Sequence, residues 1–151
     1  MIKHFLDIND FNKVELRKIL NLAAKIKNNP KKYQTSLENK YLGLLFEKES
    51  TRTRLSFSVG IKKLGGESIE LDNTKIGYGT REKKEDVLKA LAQYLDFIMI
   101  RNNDHNQLKN LASLNVLPII NGLTNFSHPC QILSDIFTME ENLGNIENNV
   151  Q

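Results

Sequence analysis

Between residues 10 and 27, apolar side chains recur at intervals of three and four: Phe11, Val14, Leu16, Ile19, Leu20, Leu22, Ala23 and Ile26. That spacing gathers them on one face of a helix, which is predicted to stop near Pro30. The next signal is a short apolar run, Leu42-Gly43-Leu44-Leu45-Phe46, followed by a polar stretch and then helical spacing at Leu55, Phe57, Val59, Ile61 and Leu64, closed by Gly65-Gly66. This reads as strand, loop, helix. Residues 68–71 alternate as a strand does, and residues 84–95 are helical, with Val87, Leu88, Ala90, Leu91 and Leu95 on the apolar face. The run Phe97-Ile98-Met99-Ile100 ends abruptly at Arg101, as a strand buried on both faces would. A short helix over 108–114, an apolar strand over 116–120 interrupted by Pro118, and a helix over 131–143 complete the pattern. Strands alternate with helices throughout. The predicted fold is therefore α/β: a parallel sheet of about four strands flanked by helices on both faces, a three-layer α/β/α arrangement with right-handed crossovers.

Composition narrows the class. The chain has 151 residues, enough for one domain and one sizeable core, with 40% hydrophobic and 26% charged residues. No apolar run approaches the roughly 20 residues that a bilayer crossing needs, so no membrane partner is expected. The amino-terminal stretch Met1 to Asp7 is broken by charge too early for a secretory signal, and a reducing cytoplasm is the expected compartment. A single cysteine, Cys130, excludes an internal disulfide and a cysteine-based zinc site, and His4, His105 and His128 lack metal-ligand spacing. No metal is expected. The net charge of +3 is spread as pairs such as Lys31-Lys32, Lys62-Lys63 and Lys83-Lys84, which suits small anions at least as well as nucleic acid. The polar tail from 144 to 151 reads as the start of a linker.

In a parallel α/β sheet, ligands bind beyond the carboxyl ends of the strands. After 42–46 come Glu47-Lys48-Glu49-Ser50-Thr51-Arg52-Thr53-Arg54; after 97–100 comes Arg101; after 116–120 come Asn121-Gly122-Leu123-Thr124 and then His128-Pro129-Cys130-Gln131. Arg52, Arg54 and Arg101 are thus predicted to converge on one sheet edge. Ser50-Thr51-Arg52-Thr53-Arg54 opens a helix, where backbone N–H groups and the helix dipole favour an anion and guanidinium groups add forked contacts to phosphate oxygens. The same string is also compatible with a plain Ser50 N-cap and solvated arginines. Arg101 favours the anion reading, because an arginine closing an apolar strand needs a partner to offset its desolvation. His128 before Pro129 is a common helix start; beside an anion site it is also suited to donate a hydrogen bond to a carbonyl oxygen and stabilise an oxyanion. Gln131 is placed to hold an amide-like group, and Cys130 reads as a small buried hydrophobe with no base to activate it. No P-loop is present, and Gly77-Tyr78-Gly79 is too little for a dinucleotide fingerprint.

Phe46-Glu47-Lys48-Glu49-Ser50-Thr51-Arg52-Thr53-Arg54 resembles the carbamoyl-phosphate signature of the aspartate and ornithine carbamoyltransferases. Asn121-Gly122-Leu123-Thr124 followed by His128-Pro129-Cys130-Gln131-Ile132-Leu133-Ser134-Asp135 looks like the ornithine-type version, and the likeness extends through Leu64-Gly65-Gly66 and 94–101. The resemblance implies a carbamoyl-phosphate-binding domain over 1–143. In it Ser50, Thr51, Arg52 and Thr53 hold the phosphate, Arg101 contacts phosphate and carbonyl, and His128 and Gln131 address the carbamoyl group, with Pro129 and Cys130 completing the segment. Arg101 and His128 are the implied catalytic residues. The implied reaction, part of arginine metabolism, moves the carbamoyl group to the side-chain amine of L-ornithine, giving L-citrulline and phosphate, with no cofactor and in a homotrimer.

Three departures accompany the resemblance, the least of them Asp86-Val87 where the family's helix usually begins with Asp-Thr. In the family, the loop before the helix at Lys84 reaches a neighbouring subunit's site, often with a Gln; Gly77 stands there in an ungapped comparison, so Lys75 takes over by a local shift or the contact weakens. The family's chains are also about twice as long, and their second domain binds the amino acid. The expectation is an isolated first domain that binds carbamoyl phosphate and does not turn over alone. The other readings are transfer to a different amine acceptor, or a non-catalytic anion-binding or assembly module.

Overall fold

The computed structural model describes residues 2–144. Of the linker expected over 144–151, residues 145–151 lie outside the described residues. Five helices, α1 (Lys13–Asn28), α2 (Thr51–Lys63), α3 (Lys84–Leu91), α4 (His105–Ser113) and α5 (Pro129–Leu143), alternate with four strands, β1 (Tyr41–Phe46), β2 (Glu67–Leu71), β3 (Phe97–Arg101) and β4 (Ile119–Leu123). All pairings are parallel and the strand order is β2-β1-β3-β4. The chain leaves β1 toward one edge and returns to build β3 and β4 on the other side, so the order reverses between β1 and β3. That reversal opens a crevice at the carboxyl ends of the two central strands.

Alternating side chains of the central strands feed two cores. Leu45, Ile98, Ile100 and Ile119 face Leu88, Leu108 and Leu111 of α3 and α4, whereas Leu42, Leu44 and Met99 face Ile61 and Phe57 of α2. Leu44, Leu45, Ile98, Met99 and Ile100 are completely buried. This accounts for the near-continuous apolar runs, since both faces of the inner strands are covered.

Local chemistry moves several boundaries from where periodicity alone puts them. Helix α1 begins at Lys13 because Asn12 and Glu15 form a reciprocal capping box. Helix α3 ends at Leu91, short of the predicted 95. The chain has to turn there so that the Asp96 amide reaches the Tyr41 carbonyl at 3.0 Å and the Asp96 carboxylate takes the Tyr41 amide at 2.9 Å, which sets β3 against β1. Helix α4 begins at His105, before the predicted 108, because the Asp104 side chain accepts from the amides of Asn106 and Gln107. Helix α5 begins at Pro129, two residues before the predicted start, with proline in the first turn.

The largest shift is in β4, which runs from 119 to 123 and not from 116 to 120. Pro118 has no N–H to enter the ladder, and it contributes only its carbonyl, which accepts from Ile98 at 2.9 Å. The sheet's outer edge at β4 is then closed by the amino-terminal segment. Phe5 donates to the Ile119 carbonyl and accepts from the Asn121 amide, each at 2.8 Å. Gly65, at φ +89°, makes the turn from α2 into β2; a Cβ there would run into the Gln34 carbonyl.

Candidate active site

Three chain segments meet at the crevice. Ser50 caps α2 in extended conformation, and its hydroxyl accepts from the Thr53 amide at 3.3 Å. The first-turn amides of α2 therefore point into the crevice with the positive end of the helix dipole behind them. Arg101 extends from the end of β3, its Nη1 3.3 Å from Thr53 Oγ1, and its Nε is buried without a hydrogen-bond partner. From the other side, His128 precedes α5, and its Nδ1 is likewise buried without a partner.

These groups border a cavity of about 760 Å³. Of the residues singled out from the sequence, Ser50, Arg52, Thr53, Arg101, His128, Cys130 and Gln131 line it. Thr51 and Pro129 do not line it: Thr51 is exposed on the next step of the helix, and Pro129 is fully buried as the first residue of α5. Arg54 departs from the expected convergence. Two residues past Arg52, it has rotated about 200° around α2. There its Nη1 pairs with Glu70 of β2 at 3.2 Å and its guanidinium lies 4.9 Å from the Phe46 ring centre. Ser56, Phe57, Leu123 and Ser134 also line the cavity and were not foreseen. Ser56 and Phe57 lie one turn along α2 from Arg52 and Thr53, a relation that the helical period could have supplied.

The register of β3 and β4 shifts between Ile100 and Arg101, which pair with Asn121 and Leu123. Gly122 is the extra residue of this bulge, and a Cβ there would strike the Met99 sulfur. Asn121, completely buried, ties the bulge to the turn beyond β4. Its Nδ2 donates to the carbonyls of Leu6 at 2.8 Å and Ser127 at 3.1 Å, and its Oδ1 accepts from the Leu123 amide at 3.0 Å. The bulge and its asparagine thus aim the 124–128 segment back over the sheet edge.

Burial, and then the Arg101 charge, lower the His128 pKa below the ordinary histidine value against a smaller opposing pull from Asp135. The ring is therefore neutral at pH 7 and carries one N–H to donate. Burial raises the Cys130 thiol to about 11, and its Sγ sits 3.8 Å from the Asn121 carbonyl, so it stays protonated and packs as a small apolar group. Gln131 holds Asp135 through an amide donor at 2.8 Å. The arrangement offers backbone amides, hydroxyls and fixed positive charge to an anion, with a neutral imidazole donor a short reach away. Such an arrangement has the chemistry to suit an anion joined to a carbonyl group whose oxygen takes up negative charge.

On the opposite side of β1, Lys84 Nζ bonds Glu47 at 2.8 Å and Gln107 at 2.7 Å beneath the loop that holds Gly77. Gly77 is buried at φ +69°, whereas the Lys75 side chain is 83% exposed. Among the described residues, no group of three His, Cys, Asp or Glu is placed to hold a metal ion, and no helix is long and apolar enough to cross a membrane.

Comparison with known proteins bears on this site. The family described as aspartate/ornithine carbamoyltransferase, carbamoyl-P binding domain, matches residues 3–141. The chain is 44% identical over 147 residues to an ornithine carbamoyltransferase of Agrobacterium fabrum, covering 96% of this chain and 48% of the relative. Among solved structures, the ornithine carbamoyltransferase from Pyrococcus furiosus superposes with a TM-score of 0.89 at 38% identity, over 94% of this chain and 46% of that one. That from Burkholderia thailandensis gives 0.88 at 39% identity, over 96% and 51%. The chain spans about half the length of the curated relatives it matches.

Proposed function

Because the chain belongs to the aspartate/ornithine carbamoyltransferase family, we propose that its cavity binds carbamoyl phosphate and that the activity it serves is carbamoyl transfer to the side-chain amine of L-ornithine. The observation that carries this reading is that Arg101, His128 and the capped start of α2, delivered by three separate chain segments, line one cavity. Fixed positive charge, helix-start amides and an imidazole around one space suit an anion joined to a carbonyl group.

In this reading the phosphate rests on the first-turn amides of α2, that of Thr51 among them, and on the hydroxyls of Ser50 and Thr53, with Arg52 adding charge from the rim. Arg101 bridges phosphate and carbonyl oxygen. His128 donates its N–H to the carbonyl oxygen, and Gln131 faces the carbamoyl amide. The amine attacks the carbonyl carbon, a tetrahedral intermediate forms, the bond to the phosphate oxygen breaks, and the attacking nitrogen releases its proton as citrulline and phosphate form. Catalysis then rests on positioning and on charge stabilisation at the oxyanion. No cofactor, nucleic acid or membrane enters this reading. Residues 1–143 act as the carbamoyl-phosphate-binding domain in the cytoplasm, the residues from 144 begin a linker, and ornithine is held by a second domain. The working unit is a homotrimer in which the exposed Lys75, and not the buried Gly77, reaches a neighbouring site.

Calorimetric titration of the chain with carbamoyl phosphate tests the reading. Binding that is lost in Arg52→Ala and Arg101→Ala supports it. No binding by the wild-type chain, together with a stable trimer by light scattering, would assign the chain to assembly alone. Citrulline formed by the purified chain from ornithine and carbamoyl phosphate would show that it needs no second domain.

A further inference from the structure

Among the described residues, no side-chain hydrogen bond is seen to hold His128 where it reaches the cavity. It makes no side-chain cap at the start of α5, and its Nδ1 has no partner. The position of the imidazole therefore depends on the backbone that delivers it, the turn over 124–127. One hydroxyl fastens that turn from inside. Thr124 Oγ1 accepts from the amides of Phe126 at 3.4 Å and Ser127 at 3.2 Å, while the Thr124 amide donates to the Ser127 carbonyl at 3.0 Å.

The same hydroxyl lies 2.9 Å from Nδ1 of His105, a residue only 5% exposed at the start of α4. The His105 amide donates to Asn125 Oδ1 at 3.1 Å, and its ring lies 5.0 Å from that of Phe126, centre to centre. One residue of a neighbouring element thus grips three consecutive residues of the turn. The 2.9 Å bond between Thr124 Oγ1 and His105 Nδ1 forms in either histidine tautomer: the hydroxyl donates to the ring, or the ring donates and the hydroxyl turns to the Ser127 carbonyl at 3.4 Å.

We infer that His105 is a positioning residue for His128: through Thr124 it locks the 124–127 turn and so fixes where the His128 imidazole enters the cavity. His105 does not line the cavity, so it acts only through the turn. The inference rests on the reading of His128 as the group that faces the carbamoyl oxygen, and it extends that reading to a second histidine.

The test tracks the His128 ring by NMR through a pH titration, alongside carbamoyl phosphate binding, in the wild-type chain, His105→Phe and His105→Asn. His105→Phe keeps an aromatic ring against Phe126 and removes the bond to Thr124. It should move the His128 midpoint upward, toward that of a solvated histidine, and weaken carbamoyl phosphate binding about tenfold. His105→Asn returns a polar atom near the place of Nδ1 and should restore most of both. An unchanged midpoint and affinity in His105→Phe, whatever its melting temperature, overturns the inference. Should that variant not fold, hydrogen exchange in the wild-type chain decides. Phe126 and Ser127 amides protected like those of β4 support the lock, and exchange at open-loop rates refutes it. A wild-type chain that does not bind carbamoyl phosphate defeats the reading of the site, and the His128 midpoint still decides the role of His105.

Discussion

On the α2 side of the cavity, Ser50 and Thr53 are half-buried, Arg52 is exposed, and the cap rests on one bond of 3.3 Å. On the α5 side, His128 is delivered by a turn whose supports, Asn121, Thr124 and His105, are all buried and bonded to one another or to the backbone. The first wall consists of groups that a ligand organises on arrival: amides, hydroxyls and charge near solvent. The second is organised before any ligand arrives, and its supports belong to the folding core as much as to the site. Loss of a first-wall charge should therefore be felt in affinity alone, and loss of a second-wall support in stability as well as in affinity.

Arg101, which touches Thr53 on one side and depresses the His128 pKa on the other, should give the largest effect. Arg101→Ala is expected to weaken carbamoyl phosphate binding by about 2 to 4 kcal/mol in calorimetry, the scale for removing charge-assisted contacts. An equal loss in Arg52→Ala would erase the distinction between a half-buried arginine and one on the rim. Next comes Asn121→Ala, which strips a donor from two carbonyls and an acceptor from one amide. Chemical denaturation should show a loss of about 2 to 3 kcal/mol; a change within half a kcal/mol, roughly the scale of surface substitutions, would mean that the second wall is not preorganised as described. Ser50→Ala should cost about 1 kcal/mol in thermal unfolding, with Ser50→Asn close to neutral, as for an ordinary helix cap.

The smallest effect is one of pH. The folded chain holds His128 and His4 below the ordinary value of 6.5, in both cases with burial as the leading cause. As the pH falls through about 6.5 the unfolded chain takes up these protons first, so the histidine contribution to stability is intact above that value and declines below it. Unfolding free energy measured from pH 7.5 to 5.5 should fall, and His128→Gln should flatten the slope. A slope that the substitution leaves untouched would place the His128 ring in solvent.

The same contrast governs how much could be read from residues alone. The α2 wall was legible because its chemistry is local: a serine cap, two threonines and an arginine within one turn, after an apolar strand. Arg101 was legible because charge at the end of a buried strand stands out. Arg54 misled because proximity to a strand end ignores the helical rotation that carries it to Glu70. The supports of the second wall stayed hidden, since Asn121 meets Leu6 across 115 residues and His105 meets Thr124 across 19. No local pattern encodes such partners. Pro118 displaces β4 from its expected place, and this in turn sets Asn121 and Gly122 inside the strand, where the apolar run alone puts them beyond its end.

The pairing of Phe5 with Ile119 and Asn121 has a consequence for synthesis. The chain emerges from the ribosome amino terminus first, so the segment that seals the β4 edge waits, unpaired, until more than a hundred further residues have been made. Leu6, whose carbonyl the buried Asn121 requires, waits with it. Closure of the sheet and completion of the His128 wall both rest on contacts of long sequence separation, the kind that folding reaches slowly. A nascent chain stalled before residue 119 would carry a finished phosphate-side wall facing nothing.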